Sequence, residues 1–185
     1  MQTWAQTIYL IKSDVRRRKQ YEARPKGLGS SVAVILSPAA MATIVFRIQK
    51  FLFGKGLWPI TKLLGIVNMM LFTTEIEADA IIGEGFLMLN PNGVMIHNHT
   101  RIGRNCTIAH QVTMTIGPRP GLDIVNDYID IGEQVTISAG VRIIGNLTIG
   151  DRVFIGPNTV VAASVPDDHL LDGRRLVVKT SAVLT

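Results

Sequence analysis

The chain has 185 residues, of which 47% are hydrophobic and 18% are charged, and this composition excludes an intrinsically disordered protein. Its single cysteine, Cys106, excludes an internal disulfide framework and is consistent with a reducing cytoplasm. Residues 1–75 hold eleven Lys or Arg against three Asp or Glu, whereas residues 76–185 are net acidic. This asymmetry places a domain boundary near residue 75. No nucleic-acid-binding motif accompanies the basic part, so no nucleic-acid partner is expected.

The first 75 residues are predicted to form a basic, apolar helical domain. Residues 3–20 have an amphipathic helical pattern, and residues 31–53 and 58–72 predict two apolar helices separated by Gly54-Lys55-Gly56. We expect these helices to pack on the rest of the chain and on partner subunits. Peripheral contact of residues 1–72 with the anionic inner face of the membrane is the alternative. The charge itself is most simply a solvated basic face.

From residue 76 onward an aliphatic residue returns every six positions, a period that neither a helix nor an alternating strand produces. The repeating positions are Ile76, Ile82, Met88, Ile96, Ile102, Ile108, Met114, Ile131, Ile137, Ile143, Ile149, Ile155 and Val161. A short fixed repeat is typical of a solenoid, in which each unit buries its apolar face against its neighbours. The pattern predicts a left-handed parallel β-helix over 76–166, with three faces per triangular coil and coils stacked about 4.8 Å apart.

Residues 116–128 interrupt this repeat and form a predicted loop, because they contain Pro118, Pro120 and Gly121. Long insertions project from one face of a solenoid and often carry binding residues. Arg119, Asp123, Asp127 and Tyr128 are therefore candidates for contacting a polar substrate, although solvated loop charges are an equally simple interpretation. Residues 167–185 are expected to form a C-terminal tail. No cluster of metal ligands with suitable spacing is present, so no metal is expected.

The repeat resembles the serine acetyltransferase branch of the hexapeptide-repeat acyltransferases, which includes enzymes that acetylate sugars in exopolysaccharide assembly. Segments 46–56, 75–83, 93–96, 106–113 and 131–161 carry the resemblance. It implies acetyl-CoA as the donor, a small hydroxylated acceptor such as serine or a sugar, and a cytoplasmic homotrimer or dimer of trimers. Because one fold hosts several acceptors, the resemblance leaves the choice between serine and a sugar open.

In this family the pantetheine arm of acetyl-CoA lies in a groove between subunits, close to small residues. The resemblance transfers that role to Ala139, Gly140, Gly156 and Pro157. Basic residues near the C-terminus meet the CoA phosphates in such enzymes, and the matching candidates are Arg174, Arg175 and Lys179. Glycine and alanine also simply permit tight solenoid corners, which is the alternative interpretation of the small residues.

Transfer of an acetyl group to a hydroxyl needs a base, and histidine suits that task because its pKa lies near neutrality. The family places this histidine in an enlarged coil, which corresponds to the eight-residue step from Met88 to Ile96. Asn90 occupies the histidine position, and Tyr128 occupies the position of the family's second histidine. An amide orients a substrate through hydrogen bonds but does not act as a base near neutral pH. Asn90 and the neighbouring Asn92 are therefore candidate site residues without basic character.

Three interpretations of this replacement remain open. In the first, another histidine is the base. His110 is favoured because it and Asn90 each follow an aliphatic position of the same face by two residues and should stack roughly 5 Å apart. His99 and His97 come next. In the second, Asn90 disables an otherwise ordinary enzyme, and in the third the chain is a catalytically silent scaffold.

Overall fold

The computed structural model describes residues 2–23, 28–117, 127–173 and 175–178. Four helices come first: α1 (Trp4–Tyr21), α2 (Leu28–Ile35), α3 (Pro38–Gly54) and α4 (Trp58–Phe72). The helices predicted over 3–20 and 58–72 are thereby confirmed. The single helix predicted over 31–53 is wrong, because Ser37 caps a new helix through Ala40 N and Pro38 occupies its first turn.

The rest of the described chain consists of short strands, most of them two or three residues long. They are β1 (Glu75–Ile76), β2 (Ile81–Ile82), β3 (Leu87–Met88), β4 (Met95–Ile96), β5 (Thr100–Ile102), β6 (Thr107–Ile108), β7 (Thr113–Thr115), β8 (Ile129–Ile131), β9 (Thr136–Ile137), β10 (Arg142–Ile144), β11 (Leu147–Ile149), β12 (Phe154–Ile155), β13 (Val160–Val161), β14 (His169–Asp172) and β15 (Arg175–Val178).

These strands form the three faces of a prism. Face 1 holds β1, β4, β7, β10 and β13, face 2 holds β2, β5, β8 and β11, and face 3 holds β3, β6, β9, β12, β14 and β15. Strands within a face are parallel, except that β15 pairs antiparallel with β14. Face 3 thus continues beyond residue 166. We name the corners by the faces they join: corner 1–2, corner 2–3 and corner 3–1.

The aliphatic repeat positions lie in register inside the prism. Ile108, for example, pairs with Met88 on one side and Ile137 on the other, and all three are at most 1% exposed. Residues at the interior corners, such as Val135 and Val141, are fully buried as well. The prediction that the six-residue repeat builds the core is confirmed.

Cations from α1 and α3 cover the open edge of the first coil. Arg47 donates to the carbonyl oxygens of Ile82 and Gly83, each at 2.6 Å, and Arg18 donates to that of Met88 at 2.7 Å. Arg17 and Lys50 make similar bonds to Gly85 O and Asp79 O. A terminal coil has no preceding strand to pair with, so donors must come from elsewhere. The interpretation of the basic segment as a solvated face is wrong for these four side chains.

The Arg47 guanidinium also forms an ion pair with Asp14 in the interior. Its Nε lies 2.9 Å from Asp14 Oδ2, and the two residues are only 2% and 6% exposed. The backbone N–H of Phe86 donates to Asp14 Oδ1 at 2.8 Å. Burial raises the pKa of the Asp14 carboxyl, while the adjacent Arg47 charge opposes that rise. This pair joins α1, α3 and the first coil at one point.

Cys106 lies at the interior of corner 2–3, fully buried, with its Sγ 3.1 Å from the carbonyl oxygen of Gly132. Burial raises the pKa of its thiol from 9.0 to about 11. This environment gives Cys106 a packing role, since the thiol is inaccessible and stays protonated at neutral pH.

We therefore expect the free energy of unfolding to fall as the pH rises above about 9, because the unfolded chain releases the thiol proton more readily than the native state. Cys106→Val is the matched control, since Val135 and Val153 occupy the same corner position in the next coils. Urea unfolding measures the free energy of unfolding of each protein at neutral pH and near pH 10. Between these two pH values, the parent should lose about 1 kcal/mol more of this free energy than the control. Parallel pH profiles for the two proteins would contradict this expectation.

Candidate active site

Corner 3–1 brings together the candidate base and part of the candidate donor site. Because β3, β6, β9 and β12 pair in register, the residues two positions beyond their aligned aliphatic residues form one column. The column consists of Asn90, His110, Ala139 and Pro157. His110 and Pro157 are exposed and Ala139 is half-buried, so the column faces outward. His110 is anchored by its backbone, whose carbonyl oxygen accepts from Gly140 N at 3.1 Å.

Asn90 begins the enlarged turn of the first coil. Its Oδ1 accepts a hydrogen bond from the backbone N–H of Asn92 at 3.0 Å, which closes a local turn. The carbonyl oxygen of Asn92 in turn accepts from Gln111 N at 2.8 Å in the next coil. With its oxygen engaged in this turn, the Asn90 amide retains its two N–H donors for other partners. Asn92 is exposed beside it.

The two candidate glycines differ from their small neighbours in this column. Gly140 has a φ of +74°, and Gln111 and Asn158 adopt the same left-handed conformation at 57° and 56° in adjacent coils. Glycine at this position therefore suits the backbone of the corner. Gly156 is buried beside the neighbouring strand β14, and its backbone N–H donates to Leu171 O at an N–O distance of 2.6 Å. Of the four small candidates, Ala139 and Pro157 are the two that lie in the outward-facing column.

Corner 1–2 holds a second group of the predicted residues. The His99 ring stacks on Tyr128 with centroids 5.0 Å apart, and its Nδ1 lies 3.2 Å from the backbone oxygen of Asp127. The guanidinium of Arg101 lies 3.9 Å from the centre of the same Tyr128 ring. His97 lies nearby on this corner, with its Nδ1 3.5 Å from Thr115 Oγ1. Within one chain, His97 and His99 are thus on a different corner from Asn90 and His110.

Asn146 fixes the point where the insertion returns to the prism. Its Nδ2 donates to Asp127 Oδ1 at 2.8 Å, and its Oδ1 accepts from the Tyr128 backbone N–H at 3.3 Å. Asp127 is only 8% exposed, so part of its hydrogen-bonding capacity serves the fold. Among the other candidates, Arg119, Asp123, Arg174 and Lys179 lie outside the described residues. Arg175 is the first residue of β15.

Sequence reasoning missed Arg101 and Asn146 as members of this group. A usable signal was present, because aligning the repeat across the insertion pairs Arg101 with Asp130 and places His99 beside Tyr128. The Arg101 Nη1 to Asp130 Oδ1 distance of 3.4 Å follows from that register. The alignment requires knowing that residues 116–128 leave and rejoin the same corner, which the sequence pattern alone does not specify.

A cavity of about 290 Å³ lies between the helices and the first coil, away from corner 3–1. Its lining includes Gln49, Trp58, Lys62, Glu77 and Asn98. Neither Asn90 nor His110 borders it, so the chemistry proposed for His110 does not use this cavity. Within the described ranges, no group of three or more His, Cys, Asp or Glu side chains is arranged to hold a metal ion.

Comparison with known proteins places this architecture in a family. The bacterial transferase hexapeptide pattern (six repeats) matches residues 128–163. The putative colanic acid biosynthesis acetyltransferase WcaB of Escherichia coli K12 is 36% identical over 126 residues, covering 67% of this chain and 75% of that protein. The chain belongs to the hexapeptide-repeat acyltransferases. A serine acetyltransferase of Synechococcus elongatus is 28% identical over 154 residues, covering 83% of the chain.

The fold of this chain matches that of solved members of the family. Soybean serine acetyltransferase, in its apoenzyme form, superposes with a TM-score of 0.81 at 26% identity, covering 92% of this chain and 69% of the soybean chain. The family and this likeness confirm the predicted left-handed parallel β-helix with a preceding helical segment. The chain spans only 62% of the length of the Synechococcus enzyme.

Proposed function

We propose that the chain is an acetyl-CoA-dependent O-acetyltransferase in which His110 is the general base. The register of face 3 carries this proposal, because it aligns His110 between Asn90, at the expected histidine position, and Ala139, at a donor-binding position. His110 is exposed, so both a donor and an acceptor can approach it. The names of the relatives, serine acetyltransferase and colanic acid biosynthesis acetyltransferase, support acetyl transfer.

The chemistry assigns one task to each polar group. The His110 imidazole takes the proton from the acceptor hydroxyl while that oxygen attacks the thioester carbonyl carbon. The carbon–sulfur bond then breaks, and the imidazolium returns its proton to the departing CoA sulfur. An acetyl ester and free CoA thiol are the products. The Asn90 amide group donates hydrogen bonds that orient the acceptor or the developing oxyanion.

A single chain leaves this site open, because His110 lies on a convex corner. Acyl transfer from a thioester competes with hydrolysis, and an enclosed site suppresses that side reaction. We therefore propose that a second copy of the chain covers corner 3–1, as in a homotrimer or a dimer of trimers. Such a neighbour would also complete the groove for the pantetheine arm along Ala139 and Pro157.

The proposed acceptor is a sugar hydroxyl of a surface polysaccharide under assembly, with serine as the alternative. The identity to WcaB supports the sugar, since that relative's name refers to colanic acid biosynthesis. The basic apolar helices support it as well, because polysaccharide acceptors are carried on lipids at the inner face of the membrane. The reaction would take place in the cytoplasm, where acetyl-CoA is available.

The test follows CoA thiol release by the purified full chain with acetyl-CoA and either serine or a lipid-linked sugar. We expect His110→Ala to slow turnover about 100-fold or more, since a positioned base contributes at least that factor. His169→Ala is the control, because His169 lies in β14 and contacts the backbone oxygen of Asp167. Unchanged turnover in His110→Ala would remove His110 as the base.

Two other outcomes decide between the remaining interpretations. If the parent is inactive and Asn90→His gains turnover, the chain is a disabled enzyme. A parent and an Asn90→His variant that both lack turnover and donor binding would favour the silent scaffold. Turnover with serine alone would contradict the polysaccharide acceptor.

A further inference from the structure

Helix α4 presents its apolar side outward and its polar side inward. Thr61 and Asn68, which lie two turns apart, are 2% and 1% exposed. On the outer side, Leu63 is 58% exposed and Met70 is 74% exposed. A surface helix that packs only against the core of its own chain shows the opposite arrangement, with its apolar side inward and its polar side outward. We therefore expect the outward side of α4 to contact an apolar surface that does not belong to this chain.

The apolar surface continues from α4 into the turn that joins it to α3. We call this surface the α4 face, and its exposed members are Phe53, Leu57, Trp58, Ile60, Leu63, Ile66, Met69, Met70 and Leu71. Single exposed apolar side chains are ordinary on a protein surface, but a contiguous group of this size marks an interaction site.

The charges around the α4 face indicate what covers it. Two of the six Lys or Arg in residues 23–74, Lys55 and Lys62, lie at this face, whereas Arg47 is buried against Asp14 and Lys50 bonds to Asp79 O. Lys55 is exposed in the α3–α4 turn, and the Lys62 side chain on α4 is 66% exposed, 3.8 Å from Glu77 of the first coil. An anionic lipid surface accepts both the cations and the apolar side chains.

Trp58 supports the same occupant. It is 64% exposed at the first position of α4, and Lys55, three residues earlier in the preceding turn, is exposed as well. Tryptophan and lysine at the end of an apolar helical face are typical of side chains that lie at the headgroup level of a bilayer. Among the helices in the described ranges, none has the length and apolar character needed to cross a bilayer. Contact along one side of α4 needs no such span.

We infer that the α4 face binds the surface of an anionic membrane, with α4 lying in the plane of the interface. The sequence suggested membrane contact somewhere in residues 1–72. This inference restricts the contact to one side of α4 and the turn before it. Its biological setting rests on the proposed function, because lipid-linked acceptors lie at that surface. Lipid binding itself is measured without acetyl transfer.

The test is co-sedimentation of the full chain with vesicles of phosphatidylcholine alone or mixed with phosphatidylglycerol. We expect binding to the mixed vesicles, and we expect Leu63→Gln/Met70→Gln to lower the partition coefficient about tenfold or more through lost apolar burial. Lys55→Gln/Lys62→Gln should weaken binding to the mixed vesicles only. The matched control is Ile81→Gln/Val160→Gln, which changes two similarly exposed apolar residues of the prism.

Several results would overturn the inference. A parent that does not bind mixed vesicles, or an α4 variant that binds as well as the control, excludes a lipid-binding α4 face. If Leu63→Gln/Met70→Gln instead reduces the mass of the assembly in ultracentrifugation without changing lipid binding, a second copy covers the face. Circular dichroism checks that the variant is folded, and Ile60→Gln/Ile66→Gln is a second variant of the same face. Retained thiol release with a soluble acceptor separates loss of lipid binding from failure of the proposed function.

Discussion

Replacement of Arg47 by methionine is expected to lower the free energy of unfolding by about 3–5 kcal/mol, the range for breaking a buried ion pair from one side. The guanidinium donates to the Asp14 carboxylate and to the carbonyl oxygens of Ile82 and Gly83. Methionine fills much of the volume but leaves a buried carboxylate and two edge carbonyls without these donors. Urea unfolding monitored by circular dichroism measures the loss.

Arg104→Met is the matched control, because Arg104 also pairs with a carboxylate, Glu133, but its side chain is 59% exposed. We expect little change there, since water and salt screen exposed ion pairs. The difference in free energy of unfolding between the parent and Arg47→Met should be smaller at acid pH. Burial raises the pKa of Asp14, so the native variant binds a proton more readily than the unfolded chain and loses stability as the pH rises. Equal deficits in the two variants would contradict the structural role of Arg47.

Gly103→Ala should destabilise the chain by about 3 kcal/mol, at the upper end of the range for overpacking a closely packed site. An added Cβ at Gly103 would lie 2.5 Å from the carbonyl oxygen of Gly132 in the next coil. Both partners are backbone, so no flexible side chain can move aside, and the coils must separate locally. Gly83 and Gly132 meet similar backbone contacts in the same column. The unfolding midpoint in urea reports the change.

Gly54→Ala is the corresponding control at the end of α3, where an added Cβ has no atom within 4 Å. Alanine is favoured over glycine in a helix by up to about 1 kcal/mol, so this variant should be as stable as the parent or slightly more stable. If Gly103→Ala were equally well tolerated, close coil-to-coil approach would not be the reason for glycine at that corner.

The proposed active site depends on information from two levels. The enlarged turn and the missing histidine at Asn90 are visible in the sequence. The alignment of Asn90 with His110 follows from the six-residue period, because equal spacing places both residues on the same face. The sequence also grouped Asp127 with Tyr128, but the structure adds Asn146 and Arg101, which contact them across coils. Residues brought together by the return of the insertion have no constant spacing, so the repeat does not identify them.

The helical segment shows the limit of pattern analysis most clearly. Its basic composition suggested a solvated surface, whereas Arg17, Arg18, Arg47 and Lys50 hydrogen-bond to backbone carbonyls of the prism. Nothing in the spacing of these cations specifies such partners, because the carbonyls come from residues about 30 to 90 positions away in the chain. The division of 31–53 at Ser37-Pro38 was, in contrast, a local signal.

The sequence by itself determined the prism, because each repeat buries its aliphatic residue through contacts between equivalent positions, and a fixed period is sufficient to specify them. It also determined which residues face outward at each corner. Only the tertiary structure decided which end of the prism is closed by buried cations and which side of α4 stays exposed. Those features depend on how separate elements pack, and the most buried positions of α4, Thr61 and Asn68, are polar, so hydrophobic patterning gave no guide to its orientation.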